Sequence, residues 1–304
     1  MERRTFLASA AGLALSPLEA ALPATIVDTH THFYDTARPQ GVPWPAPTEK
    51  MLYRPVLPEE FVKLTRPLGV TGTIEVEASA WLEDNQWVLD LAAKHPVIVG
   101  TVGHLEPGKA EFRRTLARFQ RNALFRGIRL GASGDRGFAP GLPQADFISD
   151  MRALAEAGLE LDAIGGPSLL PHVVRLTDRV AALRIVINHL PFDPPSEGAA
   201  AYQAALRELG QRAQVYAKVS NVPRRSGDRV PDEVRFYRPA LDELWEVFGE
   251  DRLIYGSNWP VSARLAPYQT AFKVVREYFA AKGQEATDKY FWKNSKAAYR
   301  WGGG

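Results

Sequence analysis

Short runs rich in β-branched residues recur along the chain, each followed by a stretch whose apolar residues return every three or four positions. Strand-like runs lie at Thr25–His32, Thr71–Ser79, Val97–Gly103, Phe125–Gly131, Leu159–Gly165, Arg184–Leu190, Gln214–Ser220 and Arg252–Asn258. Between them, Trp87, Val88, Leu91 and Ala92 mark one apolar stripe, and Phe112, Leu116 and Phe119 a second. Tyr202, Ala205, Leu206 and Leu209 form a third, and Leu241, Leu244, Trp245 and Phe248 a fourth. Each keeps the 3.6-residue period of a helix packed on one face. Pro58 followed by Glu59 and Glu60 is the order of residues that opens a helix. Strict alternation of strand and helix predicts a parallel sheet. Eight units predict closure into a (β/α)8 TIM barrel, an α/β fold, rather than an open doubly wound sheet. No Gly-x-Gly-x-x-Gly follows the first strand, which argues against a dinucleotide site. The Pro-rich segment Arg38–Pro47 is long for a loop between strand and helix and reads as a lid or rim over the barrel mouth.

Composition narrows the chemistry. The chain has 304 residues and no cysteine, which excludes disulfides, thiolate metal sites and thiol nucleophiles. Lys and Arg number 37 against 35 Asp and Glu, with no block of like charge, so a nucleic-acid partner is not expected. No apolar run reaches the roughly 18 residues of a membrane helix. The expected partner is a small-molecule substrate, and the sequence is silent on oligomeric state. The first 24 residues are set apart from the fold. Arg3-Arg4 stands ahead of the apolar stretch Phe6–Leu15, the form of a twin-arginine export signal, and predicts a periplasmic or otherwise exported protein. Residues 25–304 then form one barrel domain, of the size a TIM barrel needs, typically about 250 residues.

In such a barrel the chemistry sits at the C-terminal strand ends. Alternation puts Asp28, His30 and His32 on one face of the first strand. By strand rise the two imidazoles are about 6–7 Å apart, close enough to share a divalent ion. On the second strand, Glu75 and Glu77 are expected to point inward and Ile74 and Val76 toward the helices. The fourth strand offers Arg129, the fifth Glu160 and Asp162, the sixth His189, the seventh Lys218 and the eighth Asn258. Charged groups inside a barrel are costly unless paired or functional. His95 and His172 read as surface or packing residues, and His104 as a loop residue within reach of the mouth.

The stretch Asp28-Thr29-His30-Thr31-His32-Phe33, with Asn188-His189 and Tyr255-Gly256-Ser257-Asn258-Trp259-Pro260-Val261, resembles the amidohydrolase family 2 barrels. Within them the likeness is to the lactonase-like group that includes sugar-lactone and 2-pyrone-4,6-dicarboxylate hydrolases, and it runs from Thr25 to about Trp301. The resemblance implies a distorted, single-domain TIM barrel that hydrolyses an ester-like bond with activated water. It also implies one divalent ion, zinc foremost, or none. Asn258 departs from the pattern, because the family places there the aspartate that takes a proton from water. An amide orients water but does not accept that proton. His189, then Glu77, then Asp162 are the replacements the sequence offers. Leu159–Gly165 also lacks the family's metal-binding histidine.

The expected protein is therefore an exported hydrolase of a lactone or other carboxylic ester, on a small substrate such as a sugar acid. His30 and His32 hold the ion, or donate to the carbonyl oxygen without one. His189 activates water, with its titration near pH ~6.5 if unperturbed. Arg129 and Lys218, with Asp162 beside them, bind a substrate carboxylate or the oxyanion. The alternatives are a decarboxylase or lyase of the same superfamily, and a non-catalytic small-molecule-binding barrel, which Asn258 makes credible.

Overall fold

A computed structural model of the chain describes residues 20–132 and 137–302. Most of the predicted export segment, residues 1–19, lies outside the described residues. Eight strands stand in sequence order in one sheet, and each neighbouring pair is parallel. They are β1 Val27–Thr31, β2 Gly72–Val76, β3 Ile98–Gly103, β4 Phe125–Gly131, β5 Glu160–Ile164, β6 Arg184–Leu190, β7 Val215–Val219 and β8 Leu253–Tyr255. The seam between last and first strand closes at the mouth, where Thr31 bridges Trp259 and the His32 N–H donates to the Trp259 carbonyl at 3.0 Å. The predicted barrel is thus present. Its eighth strand is shorter than expected and ends at Tyr255, three residues before Asn258, whose backbone is left-handed (φ 58).

Helices cover the outside: α1 Pro58–Thr65, α2 Asp84–Lys94, α3 Phe112–Phe119, α4 Phe138–Gly141, α5 Ala145–Glu156, α6 Leu170–Arg179, α7 Ala199–Gly210, α8 Val234–Phe248 and α9 Tyr268–Ala280. Two short helices follow, α10 Gln284–Asp288 and α11 Asn294–Tyr299. The apolar stripes do what their period predicts. Phe112, Leu116 and Phe119 of α3, and Leu241, Leu244 and Phe248 of α8, are buried against the sheet. Each such side chain contributes roughly 1.5–3 kcal/mol. No helix among the described residues is long and apolar enough to cross a membrane.

A second, smaller core fills the barrel itself. Val27, Ile74, Val76, Val102, Val186 and Ile254 pack there, with Tyr299 and Trp301 from the chain's end beneath them. This inverts the expectation for β2, since Ile74 and Val76 point inward and Glu75 points to the helix layer, beside Trp87 and Asn85 of α2. Every residue of β2 is buried, so alternation of apolar and polar residues did not distinguish its faces.

Asp28 also departs from the expected face. Asp28 pairs with Thr73, but Thr31 pairs with Glu75, so β1 carries one residue more than β2 over this stretch. Such a bulge resets which side chains face in. His30 and His32 turn into the barrel, whereas Asp28 turns outward and accepts a hydrogen bond from the Tyr268 hydroxyl of α9 at 3.0 Å. Its other oxygen accepts the backbone N–H groups of Ser257 at 2.8 Å and His30 at 3.1 Å. Leaving one such buried acceptor unpaired costs about 1–3 kcal/mol.

The Pro-rich segment is a fixed rim. Arg38 bonds both carboxylate oxygens of Asp84 on α2, at 2.9 and 3.1 Å, and its guanidinium lies 4.7 Å from the Trp87 ring. The segment carries Trp44, whose ring stands 5.7 Å from that of His32.

Candidate active site

The barrel mouth opens on a cavity of ≈ 400 Å³ walled by His32, Trp44, Glu77, Arg129, His189 and Asn258, among others. His30 lies directly below, fully buried, with its ring 5.0 Å from His32 and 4.5 Å from His189. Gly256 of the loop after β8 makes this approach possible. A Cβ there would stand 3.0 Å from the Cβ of His30 and 3.1 Å from the Lys218 side chain.

The neighbours of each imidazole fix its protons. His32 Nδ1 is 2.7 Å from the Val76 carbonyl, which only accepts, so Nδ1 carries the proton and Nε2 keeps a lone pair. The Asn258 side chain meets this ring. His189 is tied twice to Ser220, whose Oγ accepts the His189 backbone N–H at 3.0 Å and stands 3.0 Å from Nδ1. Ser220 is itself buried and has one hydroxyl proton to place. Donation of that proton to Nδ1 satisfies both groups and leaves Nε2 of His189 as an N–H donor. Both ring nitrogens of His30 are buried with no hydrogen-bond partner among the described residues. Buried polar atoms in that state are open to water or to a bound molecule.

Burial, reinforced by the positive charge of Arg129 and Lys218, pushes His189 down to about 3. Burial and then Arg129 push His32 down to about 3, and burial and then Lys218 push His30 well below its ordinary value. The expected titration of His189 near pH ~6.5 is therefore corrected: the ring is desolvated and flanked by cations, and both disfavour the imidazolium.

The charged residues sort into two pairs. Arg129 Nε donates to Glu77 Oε1 at 2.9 Å and its Nη2 to the Glu77 carbonyl at 2.7 Å, and both residues line the mouth. Lys218 Nζ meets Asp162 Oδ2 at 2.7 Å with both side chains fully buried, and the Tyr299 hydroxyl donates to Asp162 Oδ1 at 2.7 Å. Asp162 and Lys218 are thus partners of each other beneath the site and do not line the mouth cavity, where they were expected to meet substrate. Glu160, also inside, is pushed up by burial and then by Asp162, toward the neutral acid. The backbone is strained at the mouth, where His189 and Asn258 have φ of 62 and 58. Such residues cost of order 1–3 kcal/mol and gather at functional sites.

The donor set does not fit a resident catalytic divalent ion. His30 and the Nε2 of His32 supply two neutral nitrogens. Among the described residues no group of three His, Asp or Glu is placed to hold an ion. Catalytic zinc takes three protein ligands, and here the flanking groups are cations.

Sequence reasoning did not single out Ser220, Trp44 or Tyr299. Ser220 shares parity with Tyr216 and Lys218, a signal that extending the seventh strand's alternation would have found. Tyr299 lies 137 residues from its partner Asp162, and no local pattern reports that contact. His104 meets Asn85 of α2 through its backbone and does not line the mouth, and His95 lies 3.6 Å from Glu59 on the outside.

A family model described as amidohydrolase matches residues 27–301. The chain is 31% identical over 247 residues to an L-fucono-1,5-lactonase of Burkholderia ambifaria, which covers 79% of this chain and 81% of that protein. An amidohydrolase from Burkholderia multivorans, solved with bound zinc, is similar in fold with a TM-score of 0.78 at 24% identity, covering 91% of this chain and 99% of its own. A candidate 2-pyrone-4,6-dicarboxylic acid hydrolase from Pseudomonas putida has a TM-score of 0.71 at 23% identity, over 92% and 98% of the two chains.

With His32 and His189 pushed down to about 3 and His30 well below its ordinary value, all three imidazoles are neutral at neutral pH and stay so as pH rises. Nitrogen NMR of the histidines should show no titration of His30, His32 or His189 between pH 5 and 8. A site imidazole that protonates near pH ~6.5 contradicts this electrostatic picture.

Proposed function

Because the chain belongs to the amidohydrolase family, we propose that it is a hydrolase of small sugar-acid lactones. The observation that carries this reading is the floor of the mouth, where His30, with neither ring nitrogen partnered among the described residues, lies with its ring 4.5 Å from that of His189. That is a place for a carbonyl oxygen. As water adds to the acyl carbon, negative charge grows on that oxygen, and preset donors in a dry, cationic surrounding stabilise it. Arg129, with Glu77 fixing its plane, adds a fork of donors for substrate oxygens.

The attacking water lies against Asn258, whose amide orients it. Its proton passes to the Nε2 lone pair of His32, a ring neutral at rest whose basicity rises as negative charge develops on the neighbouring carbonyl oxygen. The acyl C–O bond of the ring then breaks, the ring oxygen takes the proton back from His32 Nε2, and the product is a hydroxy acid. His189 serves here as carbonyl donor, because Ser220 occupies its Nδ1, rather than as the water-activating base. Glu77 is the one carboxylate among the described wall residues of the cavity, and its bond to Arg129 assigns it to holding that guanidinium. No step requires a divalent ion.

A panel of sugar 1,5-lactones, followed by acid release at constant pH, tests the activity. His32→Gln should lower kcat by on the order of 10²–10⁴-fold, the usual worth of general base catalysis. Adding Asn258→Asp to that variant should restore part of the loss, since a carboxylate then takes the proton. Full activity in His32→Gln contradicts the role of His32. Binding of lactones without turnover would instead mark a binding barrel, and release of CO₂ from acid substrates a decarboxylase.

We further propose that the protein is exported, on the strength of Arg3-Arg4 ahead of Phe6–Leu15. Replacing both arginines by lysine should hold the precursor in the cytoplasm. Unchanged localisation contradicts export by this route.

A further inference from the structure

We infer that the catalytic cavity continues into a second lobe that binds another sugar ring, so that the substrate is a glycosylated aldonolactone rather than a single-ring lactone. The inference rests on the lactone reading and extends it to the substrate's size. Beside the first cavity lies a second of ≈ 430 Å³. The two share Asn258, Val261 and Arg264 as wall, so they adjoin over the ends of β7 and β8. A pocket of roughly 300 Å³ already houses a small ligand. One six-membered lactone is therefore accommodated by the first lobe alone, and the second lobe is room that a single ring does not use.

The lining of the second lobe suggests its occupant. Val222, Pro223 and Leu265 offer an apolar side, and Asn221 and Ser262 a hydrogen-bonding one. A pyranose ring presents the matching combination, a C–H face and a hydroxyl edge. Asn221 is held in place by donation from its Nδ2 to the Pro191 carbonyl at 2.8 Å. No carboxylate and no aromatic ring lines the lobe among the described residues, which disfavours a cationic or aryl group there. Leu265 is 40% exposed, an apolar side chain left in solvent at the lobe's edge. At the junction stands Arg264, bonded to Glu49 at 3.1 Å, where the bond joining two rings would pass.

The test compares lactones that share the reacting ring: gluconolactone against maltobionolactone, and galactonolactone against its glycosylated counterpart. The glycosylated lactones should have a kcat/KM higher by on the order of tenfold. In Leu265→Trp, which places an indole at the edge of the lobe, and in Asn221→Ala, the ratio of the two kcat/KM values should fall toward one. Equal or lower kcat/KM for the larger lactones in the parent chain overturns the inference. So does a preference that both variants retain. If no lactone is hydrolysed, the lactone reading fails separately, and calorimetric binding of maltobionic against gluconic acid decides the lobe. Tighter binding of the disaccharide acid supports a second ring site, and equal binding overturns it.

Discussion

The carboxyl of Asp28 is the point on which the geometry of this barrel depends. It accepts the Ser257 N–H from the end of β8, the His30 N–H from its own strand, and the Tyr268 hydroxyl from the helix layer. Three donors on one buried group tie the first strand, the last strand and their covering helix together at the seam, where regular pairing is sparse. Burial still pushes this carboxyl up to about 6, although each hydrogen bond pulls it the other way. The same contacts hold β1 in its bulged course, with Thr29 anchored by its hydroxyl to the Tyr255 carbonyl at 2.6 Å. Without the extra residue, His30 would share the outward face of Asp28. The bulge is what turns both histidines of His-x-His into the barrel.

From that constraint follows an unusual electrostatic setting. Three imidazoles meet in a space whose burial and nearby cations keep all of them neutral in the resting site. Each cation responsible is itself compensated, Arg129 by Glu77 and Lys218 by Asp162. A fully buried ion pair such as Lys218–Asp162 is weak support for stability, because removing both charges from water costs several kcal/mol per ion. Its place beneath His30 suits another use. The cationic ends of these pairs, being nearer the imidazoles, and neutral N–H donors favour an oxygen on which negative charge is developing, and the low dielectric strengthens both effects. The left-handed backbone at His189 and Asn258 fits the same view, since both strained residues present their side chains to the mouth.

Much of this was legible in the order of residues. Alternating strand and helix patterns identified the barrel and all eight strands, and strand-end polar residues identified His30, His32, Arg129, His189 and Asn258 as neighbours. The failures have physical causes. On β2 both faces are buried, so period two carried no sign of which side was inward. On β1 the alternation was sound on either side of Thr29, but a bulge is written in the pairing with β2 and not in the strand itself. The fate of Asp162 and Lys218 depended on Tyr299, which arrives from the far end of the chain. The unperturbed titration assumed for His189 failed because burial belongs to the assembled barrel. Ser220 was within reach of the same strand arithmetic that found Lys218.

Asp28 and its bulge set His30 beside His189, at the place we propose as the seat of a lactone carbonyl. A crystal structure with the lactam analogue of a sugar 1,5-lactone tests it most directly, because the amide keeps the carbonyl and resists hydrolysis. The carbonyl oxygen should lie about 2.7–3.1 Å from a ring nitrogen of His30 and from Nε2 of His189, the distance at which preset donors act. A lactam bound with its carbonyl turned away from both imidazoles contradicts the account.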